Sequence, residues 1–375
     1  FNAIAGDGSI RLVWQPQPSL AIDGFELQRL APRDSVYRAL GSLLPPSSGT
    51  FLDSGALNGQ DYRYRLYFVI GGALGAQPAE DVATPGPLAP WVVDPDAGAL
   101  VRLSPDGRDV VLARTDLSEP SSVAVDPGTG LVWVAEPFAG DVQVLNPTTL
   151  AGVTLPGLGE PFTIAIAGNA SGWICDLTGS LWHFAASGAT VSPGRIGLLA
   201  NPDGVAIGPR DSSVWVCEHD GNRVRRYDAT GVPQATGTVP APSRVAVDSL
   251  TGVAWVTAFD RGRVYRMRAD GTLVDSLTLA GPIGLSLDWR RRRAWIADAA
   301  GDVVVVVDMD TGRTVQRITG MREPRDVAVD LASGEAWVAA FLDGAVVRLS
   351  PTGVTLTRVA GFAGPYAIAL DPGVR

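Results

Sequence analysis

Lysine is absent from the 375 residues, and histidine, cysteine and methionine number only two, two and three. All 30 basic residues are therefore arginine; 39 acids oppose them and leave a net charge of −9. So acidic a surface repels polyanions, which excludes nucleic acid as a general partner. Cys175 and Cys217 are too few for a disulfide framework or a metal cluster. No apolar run reaches 18 residues, so a membrane-spanning helix is not expected. No Gly-x-Ser-x-Gly elbow or phosphate loop occurs. The first residue is Phe1 rather than Met, from which a processed, exported product is expected.

Glycine (44) and proline (28) are plentiful and follow no short period, which suggests many tight turns. At 46% hydrophobic and 18% charged, the chain is a folding one. A repeat organises most of it: Pro-x-x-apolar-Ala-apolar-Asp, a turn, Trp-apolar-small-acidic, then Gly-x-apolar-x-apolar. "PSSVAVDPGTGLVWVAEPFAGDVQVLN" begins at Pro120, and further copies begin at Pro161, Pro202, Pro242, Pro282 and Pro324, 40 to 42 residues apart. Pro365 starts a seventh copy that ends after one strand, and "PWVVDPDAGALVRLSPDGRDVVLAR" from Pro90 supplies what that copy lacks. The repeat predicts seven four-stranded blades marked by Trp91, Trp133, Trp173, Trp215, Trp255, Trp295 and Trp337. The closing blade is formed by 90–114 and 365–371, which removes an open sheet edge. A solenoid of this period would carry capping ends, not a divided repeat.

"PDGVAIGPRDSSVWVCEHDGNRVRRYDATG" resembles an NHL repeat, a propeller unit running Pro-x-Gly-apolar-Ala-apolar, Tyr/Trp-Val, Asp-x-x-Asn-Arg-Val. The Asn-Arg pair survives only at Asn222-Arg223, and the resemblance speaks for fold more than function. Residues 1–86 resemble a fibronectin type III sandwich. Trp14 lies on the second strand after a turn at Gly6-Asp7-Gly8, and "LNGQDYRYRLYFVI" places Leu57, Tyr62 and Tyr64 where such domains pin a corner with tyrosine. The expected fold is all-β: a sandwich over 1–86 and a propeller over 87–375, joined by the stiff "ATPGPLAP". The resemblance implies an extracellular or cell-envelope protein.

The run Arg290-Arg291-Arg292-Arg293 falls in the hairpin that other copies write "PGTG", "SLTG" or "LASG". Arg292 stands where Gly130, Gly252 and Gly334 stand, so a left-handed backbone and about 1 kcal/mol of strain are expected there. The simplest reading is a solvated charged turn; the alternative is a contact with acidic groups of a neighbouring molecule. One basic turn neutralises too few phosphates for nucleic acid.

At the other end of the ring, Asp94, Glu136, Asp176, Glu218 and Asp298 each follow their tryptophan by three positions, where Ala258 and Ala340 stand in two copies. Ring geometry would crowd them near the channel mouth, and carboxylates suit Ca²⁺; alternatively each caps its own turn. Asp203, Arg244, Arg325, Asp326, Phe162 and Tyr366 follow repeat prolines and depart from the repeat there. They would hold a polar ligand or pair across the channel. Streptogramin lyases, also seven-bladed, resemble this layout and use histidine and glutamate, but His183 and His219 occupy unlike repeat positions. With no catalytic constellation, the expected function is non-enzymatic: an extracellular binding or scaffolding protein, with a protein partner or head-to-tail self-association. The alternative is a propeller lyase or hydrolase with a divalent metal at an acidic mouth.

Overall fold

The second strand of each repeat is apolar along most of its length, as in Val132-Trp133-Val134-Ala135, and such a strand needs cover on both faces. The computed structural model describes all residues except Asp7, Ser19, Arg33, Asn58, Gly59, Thr84, Pro87, Gly168, Asn169 and 371–375. Strands Val132–Glu136, Val214–Glu218, Ala254–Ala258 and Ala336–Ala340 are buried at every position. The chain forms two compact units, one ending at Leu88 and the other beginning at Ala89.

The second unit contains seven four-stranded antiparallel sheets among the described residues. Six pair their strands in chain order, for instance Pro161–Ile166, Ser171–Asp176, Ser180–Ala185 and Thr190–Gly197. The seventh draws on both ends of the chain: Val110–Arg114, Ala99–Leu103, Pro90–Asp94, then Ala367–Leu370, with Ile368 opposite Val92 and Ala369 opposite Trp91. Asp371, expected in that sheet, lies outside the described residues. First strands touch one another in turn from Ser122–Val125 to Pro324–Val329. Ala367–Leu370 then touches both Pro324–Val329 and Ser122–Val125. A closed ring of radial sheets is a β-propeller.

Tryptophan makes the joint between sheets. All seven repeat tryptophans are at most 2% exposed. Each packs into the sheet that follows: Trp133 against Ile164 and Ile174, Trp215 against Val245 and Val256, Trp295 against Val327 and Val338. Trp337 has no later complete sheet and packs against Val92 and Ile368, in the sheet that joins the first and last strands of the second unit. On the third strand the residue opposite the tryptophan is a cation in four sheets: Arg102, Arg226, Arg266 and Arg348 lie 5.3 to 5.8 Å from the rings of Trp91, Trp215, Trp255 and Trp337. His183 takes that place opposite Trp173, stacked at 4.0 Å.

First strands belong to different sheets, so their inner edges lack a backbone ladder and must find partners elsewhere. Neighbouring side chains supply them. Ser121 Oγ donates to the Phe162 carbonyl, Thr163 to Asp203, and Thr257 to Ile283, while Ile368 N donates to the Asp326 carboxylate.

In the first unit, Asn2–Gly6, Ser9–Val13 and Thr50–Asp53 form one sheet. Arg38–Ala39, Gly24–Leu30, Tyr62–Ile70, Ala73–Leu74 and Ala79–Ala83 form another. Ile10 and Leu12 of the first share a core with Phe25, Leu27 and Tyr64 of the second, and Trp14 joins it. Leu57 N donates to Tyr62 Oη at 2.9 Å, and Tyr64 Oη donates to Asp53, which also holds Arg29 at 2.8 Å. Asp7, within the expected first turn, lies outside the described residues.

Candidate functional site

Each first strand begins at or within two residues of its repeat proline, at one end of the ring. Second-to-third strand turns reach the same end. There a cavity of about 300 Å³ is lined by Phe162, Asp203, Arg244, Ile283 and Tyr366 from the strand starts, with His219, Phe259 and Asp260 from two turns. Lining residues come from five sheets, so this is the mouth of the ring.

Arg244 Nη1 binds Asp203 Oδ1 at 2.6 Å and also donates to the Asp203 carbonyl at 3.2 Å. Its guanidinium lies 5.0 Å from the centroid of the Phe162 ring. Burial works against the charge of Arg244, but Asp203 and Tyr366 outweigh it and hold the pKa above the ordinary arginine value. His219 joins two turns: Nδ1 lies 2.9 Å from Asp220 and Nε2 3.2 Å from Asp260 of the next sheet. Partial burial disfavours the imidazolium, yet the two carboxylates prevail and raise its pKa.

Arg325 and Asp326 lie outside the cavity lining. Arg325 pairs with Glu323 and stands 5.0 Å from the Phe341 ring and 5.6 Å from that of Tyr366. The Asp326 carboxylate accepts from Val327 N at 2.9 Å and Ile368 N at 3.0 Å. Burial nevertheless pushes its pKa to about 6.

The five acids after the tryptophans do not crowd at the mouth; each turns back to the loop that enters its own sheet from the preceding one. Asp94 accepts from Ala97, Ala363 and Gly364 N, Glu136 from Ser118 N, and Asp176 from Gly159, Glu160 and Thr178 N. Glu218 accepts from Ala200 N and pairs with Arg223 and Arg225; Asp298 accepts from Ala280 and Gly281 N. All are at most 4% exposed. Each carboxylate anchors the loop leading out of one sheet's last strand, and the pull of those amides overrides convergence. No group of three metal-ligating side chains occurs among the described residues.

The arginine run is not a free solvated turn. Arg291 donates to Asp288 and to the Leu331 and Ala332 carbonyls of the following sheet, Arg292 binds Asp248 and Asp310, and Arg293 binds Asp308. Arg290 is exposed, over the Trp289 ring at 5.4 Å. Arg292 has φ +55°, matching the +73° to +79° of Gly130, Gly252 and Gly334. The hairpin thus clamps three sheets at the end of the ring away from the mouth.

Cys175 and Cys217 are free and fully buried. His183 is also buried, bound to Ser171 at 3.0 Å, and its pKa is lowered by burial. Sequence reasoning set His219 aside because it did not share a repeat position with His183. A signal was there: His219 follows Trp215 by four positions, as Phe259 follows Trp255 and Phe341 follows Trp337, so it belongs to the ring of mouth turns.

No family profile and no curated sequence matches the chain. Among solved structures it is similar to virginiamycin B lyase from Staphylococcus aureus, with 16% identity, TM-score 0.59, and coverage of 68% of this chain and 92% of that one. A catalytically inactive histidine-to-alanine form of that lyase with quinupristin matches at 18% identity and TM-score 0.55, over 67% and 92%. A functionally unknown protein from Desulfotomaculum acetoxidans matches at 14% and TM-score 0.65, over 75% and 98%. At such identities the likeness establishes the fold. It also corrects the expectation that the chain is not an enzyme, because propellers of this shape include lyases.

Proposed function

We propose that the protein is an enzyme that binds a small molecule at the propeller mouth and acts on it by general acid–base chemistry at His219. One observation carries this reading: an imidazole braced by two carboxylates stands on the wall of a cavity that also presents the Arg244–Asp203 pair. Asp220 fixes Nδ1, so Nε2 is the reacting nitrogen once a ligand takes the place of Asp260: protonated it can donate to a leaving oxygen, and deprotonated it can take a proton. The inactive histidine variant of the virginiamycin B lyase supports the idea that this fold places histidine chemistry. The architecture we infer is a fibronectin type III-like sandwich followed by a seven-bladed NHL-like propeller. The seven sheets, the split sheet and the bond from Leu57 N to Tyr62 Oη support it. An exported setting agrees with that pairing.

The test incubates the purified chain with a panel of small esters and lactones, with and without a free carboxylate, following products by chromatography and mass spectrometry. Conversion that falls roughly 10²- to 10⁴-fold in His219→Ala, with KM little changed, is the expected result. Equal turnover by the variant removes His219 from the chemistry.

A further inference from the structure

Arginine offers carboxylates two binding edges, and at Arg244 only one nitrogen is in use. Every side-chain hydrogen bond of Arg244 leaves from Nη1: to Asp203 Oδ1, to the Asp203 carbonyl and to the Ser243 carbonyl. Nε and Nη2 together form the side-on fork, two parallel N–H groups spaced for the two oxygens of one carboxylate. In four other arginines that same fork is filled, while Arg29 and Arg293, like Arg244, bond through Nη1. Arg114 gives the fork to Asp116, Arg223 to Glu218, Arg266 to Asp275 and Arg292 to Asp310. Arg244 is the arginine of the mouth cavity, and its side chain is 20% exposed there.

We propose that the Nε/Nη2 fork of Arg244 is a carboxylate-binding site, so that the ligand of the mouth cavity is a small organic acid carrying a flat apolar group. This rests on the mouth being a ligand cavity, as argued above. Three features fix the class. The Phe162 ring lies against the guanidinium and, with Phe259 and Tyr366, gives the cavity that holds Arg244 an aromatic wall. With His219 protonated, charges on the wall balance, Asp203 and Asp260 against Arg244 and the imidazolium, so one added negative charge at the fork is tolerated. A phosphate would bring a second charge close to Asp203 and Asp260, and about 300 Å³ admits only a small molecule.

The experiment uses the full chain with four probes: benzoate, phenylacetate, benzamide and benzylamine. Affinity is read by calorimetry, and occupancy by NMR of the Arg244 Nε–H and the His219 ring, the first assigned through Arg244→Lys. That variant keeps the charge beside Asp203 and lacks the fork. The acids should move the Nε–H signal of the wild type and lose at least tenfold in affinity in Arg244→Lys, while benzamide binds weakly or not at all. If the amide or the amine moves the His219 signal while the acids leave Nε–H unmoved, the fork proposal falls and the mouth cavity stands. Acids that bind Arg244→Lys as well as wild type also overturn the fork. Silence of both signals with all four probes overturns the fork and the cavity reading together.

Discussion

Arg292 in the hairpin of one sheet reaches Asp248 in the preceding sheet, its Nη1 lying 3.0 and 2.9 Å from the two carboxylate oxygens. Asp248 is 1% exposed, so its charge relies on this partner and on Leu250 N and the Thr251 hydroxyl. Arg292→Ala should destabilise the fold by about 2 kcal/mol, less than for a fully buried pair because the guanidinium is 20% exposed. Arg292→Gly loses the same bonds but relieves the left-handed backbone, and should recover up to about 1 kcal/mol of that. Urea midpoints of the two variants decide it; equal midpoints would show that the backbone at 292 carries no strain.

Trp337 packs against Val92 and Ile368, residues contributed by the first and last strands of the second unit. Trp337→Ala should cost about 3–5 kcal/mol, the usual penalty for emptying a large aromatic site. Hydrogen exchange adds a sharper expectation. Amides of Ala367–Leu370 should lose protection in this variant before those of Val214–Glu218, on another part of the ring. Uniform loss would mean that the join opens only with global unfolding.

The propeller was legible because its determinants are local and repeated: one proline, one tryptophan and one glycine turn in each unit of 40 to 42 residues. Even the left-handed backbone at Arg292 could be read by alignment with Gly130, Gly252 and Gly334. What was illegible depends on direction. Spacing places Asp176 and Asp298 at the mouth end of the ring but does not say that their oxygens turn back to Gly159, Glu160, Ala280 and Gly281 N. Likewise, four adjacent arginines look alike in sequence, while only the strand ends of Asp248, Asp308 and Leu331 decide which of them are engaged. The bond between His219 and Asp260 spans 41 positions, one whole repeat, and appears only when copies are stacked as neighbours.

The His219 bridge gives a signed pH dependence. Its pKa is raised in the folded state, so its stabilising contribution is complete below the unfolded value, about 6.5, and is lost as pH rises through the folded value. Asp260→Asn removes one of the two carboxylates and should lower the pKa read from the His219 ring proton. Asp220→Asn should do the same, and the double variant should lower it furthest, because burial then acts against the imidazolium without either bonded carboxylate. An unchanged titration in Asp260→Asn would mean that the bond between sheets does not form in solution.

Asp326 gives the same sign over a lower pH window: its raised pKa also makes stability fall as pH rises. Burial raises its pKa to about 6, so below about pH 4 the carboxyl is protonated whether the chain is folded or not, and its ionisation has no effect on stability. As pH rises from about 4 through 6 the unfolded chain ionises first, and the folded state bears a growing penalty, roughly 3 kcal/mol once both are ionised. Asp326→Asn cannot ionise. It loses part of the double acceptor that holds Val327 N and Ile368 N, a loss that does not vary with pH. The difference in unfolding free energy between variant and wild type should therefore shift in favour of the variant between pH 4 and pH 7, whatever its starting offset. Chemical denaturation at four pH values across that window measures the slope. A flat difference would place the Asp326 carboxylate in an environment as well solvated as the unfolded chain, and the bond to Ile368 N would then not be the buried seal of the ring that its geometry describes.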